Sequence, residues 1–540
     1  MRLSPISGGG MRSRAFVVLL VLSTALVTGG SLVAKGLDGV SSVSGPRLFD
    51  EVMTHIERYY VDSVGKSDLY GKAIDGMLDE LHDPHTVFLR ADRLARLNEN
   101  TTGNYGGVGI QIDVRDGWVI VVSPLPGSPA ERAGIETGDR IVEVSGKSAK
   151  DWTIEETRNT LRGAPGSPVQ IVTERAGVRR PITLVRQEIH RSAVGRSMLL
   201  PDGVGYVDLD VFSDSTEKEL SRSIDSLSRV GMKSVILDLR ANPGGLLTQG
   251  VGVSDLFLDR DQEIVTMRGR LREANRRFVD AAPQRWPTLP MVVLLDEYSA
   301  SASEIVAGAL QDHDRAVVVG RTSYGKGSAQ TLYPITGGSA LKLTTARWFT
   351  PVGRSISKPA SEEDEDDDRS DRPAVPKADR EQFKTDGGRI VYGGGGITPD
   401  VESADTAAAP SDLALQTALG RKVPQFRDAI TDYAMSLKGT RTLTSPEFVV
   451  TDAMRDEVWK RMRQRGIEID RAVYDAAAPL ISRFIAYDVA RYVFGRPAEQ
   501  RRIVQDSPEV KRAVELLRGV STPKELLSRV SDLQVRRSGE

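Results

Sequence analysis

LLDEYSASASEIVAGALQDHDRAVVVGRTSYGKGSAQ, residues Leu294–Gln330, hands a strand over to a helix and then to a second strand. Pro290 to Leu295 is an apolar run of the length of one buried strand. Ser299, Ser301 and Ser303 fill the turn after it. Ile305, Val306, Ala309 and Leu310 then recur at helical spacing, and Ala316 to Val319 is a second apolar strand. Helix starts leave backbone N–H groups unpaired, and the helix dipole favours negative charge there. A serine in that turn therefore has an oxyanion site beside it.

A serine needs a base before it can attack a carbonyl. Lys326 follows in a segment without other charge: Tyr324, Gly325, Gly327, Ser328 and Ala329. Lysine is a base only when neutral. Its ordinary pKa is about 10.4, so neutrality at pH 7 costs roughly 4.6 kcal/mol in water. Burial away from carboxylates can remove most of that cost. Gln330, four residues on, can orient the amine without charging it.

S-A-S-A-S-E-I, then A-G-A-L-Q-D, then G-K-G-x-x-Q together resemble the carboxyl-terminal processing (tail-specific) proteases. The resemblance implies serine peptidases with a Ser/Lys dyad and an assisting Gln. It maps the nucleophile to Ser301, the base to Lys326 and the helper to Gln330. Two other readings compete. A Ser/Ala turn before a helix is in most proteins an N-cap alone. Gly320 to Lys326 also follows a P-loop pattern, but Gly327 stands where a Ser/Thr would hold Mg²⁺, and a strand-like run follows instead of a helix.

Composition narrows the class further. Lys plus Arg number 72 and Asp plus Glu 74 in 540 residues, so no basic excess points to nucleic acid. There is no cysteine, which removes disulfides, thiolate metal sites and a cysteine nucleophile. His55, His82, His85, His190 and His313 show no metal-ligand spacing. No cofactor or metal is expected.

Working outward, residues 1–35 are laid out as a signal peptide or an uncleaved membrane anchor. Arg2, Arg12 and Arg14 precede the apolar run Ala15 to Val27. Either reading places the rest of the chain outside the cytoplasm, in a periplasm or cell envelope. Residues 47–100 are a helical region on the periodicity of Leu48, Val52, Ile56 and Tyr59. GMLDELHDPHTVFL (Gly76–Leu89) resembles a segment of the same family, with Thr86 and Phe88 for its usual Ser and Tyr.

Residues 104–188 resemble a PDZ domain. Gly107, Val108, Gly109 and Ile110 match its carboxylate-binding loop. Backbone N–H groups there can trap a chain-terminal carboxylate, and an added strand sets register. Arg162 resembles a family position that couples this domain to the active site; a solvated turn arginine is the alternative. The protease core spans 195–402. SVILDLRANPGG (Ser234–Gly245) resembles the family's D-L-R-x-N-P-G-G. The family's oxyanion hole then maps to the backbone of Gly244 or Gly245 and of Ala302. Asp238 and Arg240 are expected to be structural partners rather than catalysts.

The family segment LKLTTARWFTPVGRSI is separated from Gly396-Ile397-Thr398-Pro399-Asp400 by a stretch (355–390) containing the acidic run SEEDEDDDRSDRP. A like-charge block of that kind reads as a disordered surface insertion. Residues 405–540 form a helical tail. Its amphipathic helices can dock on the core, dimerise or bind an adaptor, with docking the default.

The expected fold is a mixed α/β (α+β) multidomain protein: a protease core with an inserted PDZ domain, an N-terminal helical segment and a C-terminal helical tail. The expected function is an extracytoplasmic serine endopeptidase. It would act on protein substrates with apolar C-terminal tails, as a homodimer, with an adaptor or an N-terminal membrane anchor as further options. A latent protease or PDZ scaffold needing a partner is the alternative.

Overall fold

The computed structural model describes residues 45–358, 376–403, 408–438, 440 and 442–538. The leader (1–35) and the acidic run 361–373 lie outside the described residues. The chain divides into two compact units, one ending at Phe88 and one running from Leu89 to Glu540. In the first, helices α1 (Gly45–Tyr59) and α2 (Lys66–Asp79) bury Met53, Leu69 and Leu78.

The second unit opens on α3 (Ala91–Thr102), stopped by Gly103 at φ 72°. Strand β1 (Asn104–Gly107) pairs antiparallel with β7 (Gln187–His190), tying the two ends of an inserted domain together. Between them lie β2 (Ile110–Arg115), β3 (Trp118–Pro124), β4 (Arg140–Val144), helix α4 (Ile154–Leu161), β5 (Pro168–Arg175) and β6 (Val178–Val185). The sheet order is β2-β3-β4-β5-β6, antiparallel throughout. Val119, Val121, Ile141, Val144 and Ile171 fill its core. Thr153 and Glu156 form a reciprocal capping box at the start of α4.

The central sheet runs β8 (Val194–Leu199), β9 (Val204–Leu209), β10 (Ser234–Asp238), β13 (Met291–Leu295), β14 (Val317–Gly320) and β19 (Val401–Glu402). From β9 to β19 all neighbours are parallel, and β8 is an antiparallel edge. A parallel sheet must be covered on both faces. Helices α5 (Thr216–Arg229), α6 (Leu247–Asp255) and α7 (Ala302–Asp312) cover one face, around Leu220, Ile224, Val253 and Val306. A smaller antiparallel sheet adjoins them: β11 (Glu263–Gly269) lies between β12 (Arg276–Val279) and β16 (Ser339–Phe349), and β16 pairs on with β15 (Ser328–Ile335).

The other face is covered by the last helices of the chain. Val510, Ala513, Leu516 and Leu517 of α14 (Pro508–Leu517), with Leu526 and Val530 of α15 (Pro523–Ser538), pack on Tyr206, Ile236, Val292 and Val317. The tail thus completes the central sheet. Before it, α8 (Pro410–Leu419), α9 (Val423–Lys438), α10 (Asp452–Gln464), α11 (Arg471–Ala476) and α12 (Ala478–Val489) bury a separate core around Phe426, Ile430, Tyr474 and Ile485. A π-helical turn, Ala490–Phe494, leads into α13 (Arg496–Asp506). Arg465 pairs with Asp116 at 2.6 Å, and Lys438 Nζ donates to Thr137 O at 2.9 Å, so this bundle touches the inserted domain.

Of the stretch 355–390, residues 355–358 and 376–390 are described. They include β17 (Gln382–Lys384), whose partner β18 spans Ile390–Tyr392. The hairpin is pinned to the end of α7 by Asp386 N–H on Asp312 O (2.9 Å) and by Asp386 on His313 Nδ1 (2.7 Å).

Candidate active site

In a parallel sheet, sites form beyond the carboxyl ends of the strands. Three loops meet there: Leu239–Leu246 after β10, Asp296–Ser301 after β13, and Arg321–Gly327 after β14. Their backbones are stitched together. Ala300 N–H donates to Asn242 O (3.0 Å), Tyr324 N–H to Ser299 O (3.0 Å), and Ala241 N–H to Asp296 Oδ1 (2.9 Å). The serines of the turn divide by role. Ser299 Oγ donates to Leu239 O (2.8 Å) and Ser303 Oγ to Asn242 O (3.0 Å). Ser301 is the one that stands at the N-cap of the helix that follows.

Ser301 sits at φ 56°, ψ −111°, outside the regions ordinary for a side-chain-bearing residue. Such backbone costs on the order of 1–3 kcal/mol and persists where its surroundings hold it. A sharp strand-to-helix turn of this kind exposes a nucleophile at the head of a helix. The helix behind it, α7, is buried along its whole length. Gly308 keeps it close: a Cβ there would lie 3.1 Å from both Ile397 and Thr350 side chains.

Glu304 holds the turn. Its fully buried carboxylate accepts four hydrogen bonds: from Ser301 N–H (2.7 Å), Lys326 N–H (3.0 Å), Gly325 N–H (2.6 Å) and Ser323 Oγ (2.6 Å). One oxygen, Oε2, receives both Ser301 and Lys326, so the two backbone nitrogens lie within two hydrogen-bond lengths of each other. Burial pushes this carboxyl above its ordinary range, while the four donors pull it back down. Sequence reasoning assigned Glu304 no role. The available signal was its position three residues after Ser301, the spacing of a helix-start carboxylate.

Gly244 and Gly245 play different parts. A Cβ on Gly244 would fall 2.8 Å from Ser301 Cβ and 2.9 Å from Ala302 N, so the loop approaches Ser301 only because this residue is glycine. Its own N–H is committed to Asn242 Oδ1 at 2.9 Å. Gly245 lies against Phe212, whose carbonyl oxygen would be 2.2 Å from a Cβ. The N–H groups of Gly245 and Ala302 have no acceptor among the described residues.

Lys326 is half-buried between Gly325 (φ 90°) and Gly327. Side chains there would strike Lys358 Cγ at 2.9 Å and Ser357 Oγ at 2.5 Å. Gln330 stands at an irregularity of the β15–β16 ladder, a feature that re-aims a side chain. Its Nε2 donates to Ser328 Oγ (2.9 Å) and Thr344 Oγ1 (3.2 Å). After Lys326 the chain enters β15, so no helix follows Gly320–Lys326 to cradle a phosphate.

Asp238 and Arg240 do pair, at 2.6 Å, and Tyr206 OH donates to Asp238 at 2.7 Å. Arg240 also reaches Ser507 Oγ (2.9 Å) and Glu509 (2.8 Å), a tie between the active-site loop and the tail that the sequence did not suggest. Arg162 pairs with Glu99 of α3 at 2.5 Å and lies 4.5 Å over the Tyr105 ring. Its described hydrogen bonds do not reach Ser301, Lys326 or Gln330. Gly107, Val108, Gly109 and Ile110 all line one groove of about 340 Å³ between β2 and α4.

Residues 203–366 match Peptidase family S41, residues 120–175 a PDZ domain, and residues 41–93 the "Activating protease CtpB N-terminal domain". The carboxy-terminal processing protease CtpA of Bacillus subtilis is 35% identical over 64% of this chain and 74% of its own. The carboxy-terminal-processing protease of Bartonella bacilliformis is 39% identical over 57% of this chain and 71% of its own. Among solved structures, the photosystem II D1 C-terminal processing protease is 29% identical over 69% of this chain and 96% of its own, with a TM-score of 0.35.

Proposed function

The chain belongs to the carboxy-terminal processing proteases of peptidase family S41, and on that premise we propose an extracytoplasmic serine endopeptidase that captures substrates by their C-terminal tails. One observation carries the catalytic assignment: the buried Glu304 carboxylate seats the backbones of Ser301 and Lys326 on a single oxygen. Ser301 Oγ attacks the scissile carbonyl while Lys326 takes its proton. The oxyanion forms beside the uncommitted N–H groups of Ala302 and Gly245, in the space that Gly244 leaves open. Lys326 returns the proton to the leaving amine, and water then resolves the acyl-enzyme by the same route. Gln330, with Nε2 held by Ser328 and Thr344, offers its Oε1 as an acceptor that steadies the amine.

The groove lined by Gly107–Ile110 receives the substrate's terminal carboxylate and adds its last residues to β2 as a strand. Its apolar lining, Ile110, Ile112 and Val122, suits small apolar final residues. The basic start and apolar run of residues 1–35 support a place in the cell envelope, with that segment cleaved or kept as an anchor. A homodimer and an adaptor fit the amphipathic helices of the tail.

A second reading, a protease latent until a partner moves the PDZ domain, is favoured by the engagement of Arg162 with Glu99 and Tyr105. The test compares wild type with Ser301→Ala on an unfolded protein ending in Ala-Ala or in Asp-Asp. The primary reading expects wild-type cleavage of the Ala-Ala substrate alone, absent in the variant. Binding without cleavage by wild type would favour the latent reading, and equal cleavage of both tails would remove tail capture.

A further inference from the structure

The peptide groove is not built by the PDZ domain alone. Arg496, the first residue of α13 in the C-terminal helical region, lines it together with Arg158 and Arg162 of the PDZ side. The chain is led there by an unusual device. The π-helical turn Ala490–Phe494 ends in Gly495 at φ 94°, and α13 then starts afresh at Arg496. Such turns often mark functional positions.

The three arginines differ in their partners. Arg162 is satisfied by Glu99. Neither Arg158 nor Arg496 has a carboxylate within salt-bridge distance among the described residues. Glu499, three residues on in the same helix, is taken by Arg491, and Asp210 pairs with Arg191 at 3.7 Å. Arg496 is half-buried, and burial outweighs the more distant pull of Glu499 and Asp210, so its guanidinium is partly withdrawn from water without a salt-bridge partner among the described residues. A cation in that state favours an anion arriving with a ligand.

The fold also gives the anion's place. A Cβ on Gly106 would lie 2.1 Å from Gly163 O, so the carboxylate loop abuts the C-terminal end of α4. Arg158 is one helical turn, about 5.4 Å, back from Arg162 along α4. An added strand rises about 3.3 Å per residue, so Arg158 stands about two residues upstream of the terminal carboxylate.

We propose that Arg496, with Arg158, is a specificity determinant for substrate tails carrying an acidic side chain about two residues before an apolar C-terminal residue. The C-terminal helical region thereby takes part in substrate selection. This inference rests on the tail-capture reading.

The test measures binding of labelled peptides ending in Glu-Ala-Ala, Gln-Ala-Ala or Lys-Ala-Ala to the full chain carrying Ser301→Ala. Each peptide is used as the free acid and as the C-terminal amide. The Glu peptide is expected to bind roughly five- to tenfold tighter than the Gln peptide, the scale of a charge-assisted contact in a half-wet groove. Adding Arg496→Gln, with an unchanged melting temperature, should erase most of that preference and leave the Gln peptide's affinity as it was. Adding Arg496→Glu should turn the preference toward the Lys peptide. Equal binding of Glu and Gln free acids, or a preference that survives Arg496→Gln, overturns the inference; if free acids still outbind amides, tail capture stands. Amides binding as well as acids overturns tail capture and this inference with it.

Discussion

Ser301 occupies strained backbone at the head of a buried helix, and a single carboxylate compensates for it. Every polar contact of Glu304 is with a donor. Glu304→Gln would turn an amide NH₂ toward a backbone N–H in either orientation. The expected cost is about 1–3 kcal/mol, since a buried donor then lacks an acceptor. Thermal melting and kcat should fall together, and an unchanged melting temperature with full activity would refute the role given to Glu304. Gly244 is under a different constraint. Gly244→Ala combines φ 94° with a Cβ 2.6 Å from Ala300 O, directly against the turn of Ser301. We expect kcat to fall by about 10²–10³, the scale of a damaged oxyanion site. Wild-type kcat/KM on a peptide substrate would contradict this.

At the level of elements, the tail helices behave as part of the protease. Helices α14 and α15 cover the apolar face of the central sheet that carries Tyr206, Val292 and Val317. Ending the chain at Asp506 would bare that face, and an exposed patch of this kind drives aggregation. The truncated chain is therefore expected to be insoluble or non-cooperative in unfolding; a soluble, active, cooperatively melting product would show the sheet to be self-sufficient. The Arg240–Glu509 contact is a finer probe of the same relation. Arg240 keeps Asp238 when Glu509 is removed, so Glu509→Ala should cost only about 1 kcal/mol. A loss of several kcal/mol in denaturant titration would mean that the tail is held chiefly by this ion pair.

For the molecule as a whole, stability should depend on pH through buried acids. Burial, with the neighbouring Asp255 adding to it, pushes the Asp280 carboxyl up to about 7. A carboxyl raised in the folded state stabilises at low pH, and that contribution is lost as pH rises through about 7. Wild type should therefore lose melting temperature from about pH 4 to about pH 7. Asp280→Asn, which stays neutral, should lose less and melt higher at pH 8; parallel curves would remove Asp280 as the cause.

Much of this protein is carried by short-range pattern. Apolar runs of strand length, the Ser/Ala turn before a helix and the glycines around Lys326 and at Gly244 are constraints set within a few residues. They were legible because sterics and periodicity act locally. The family resemblance rested on the same runs, S-A-S-A-S-E-I, D-L-R-A-N-P-G-G and G-K-G-S-A-Q. What the tertiary structure alone decided spans longer separations. Glu304 reaches the loop of Lys326, and Arg240 meets Glu509 across 269 residues. The last helices close the sheet, and Arg496 lines the groove of Gly107–Ile110. A charged or amphipathic residue is compatible with many partners, and nothing local in the chain selects one. The choice is made when the parallel sheet demands a second cover and the folded loops leave one carboxylate, or one unpaired guanidinium, at a given point.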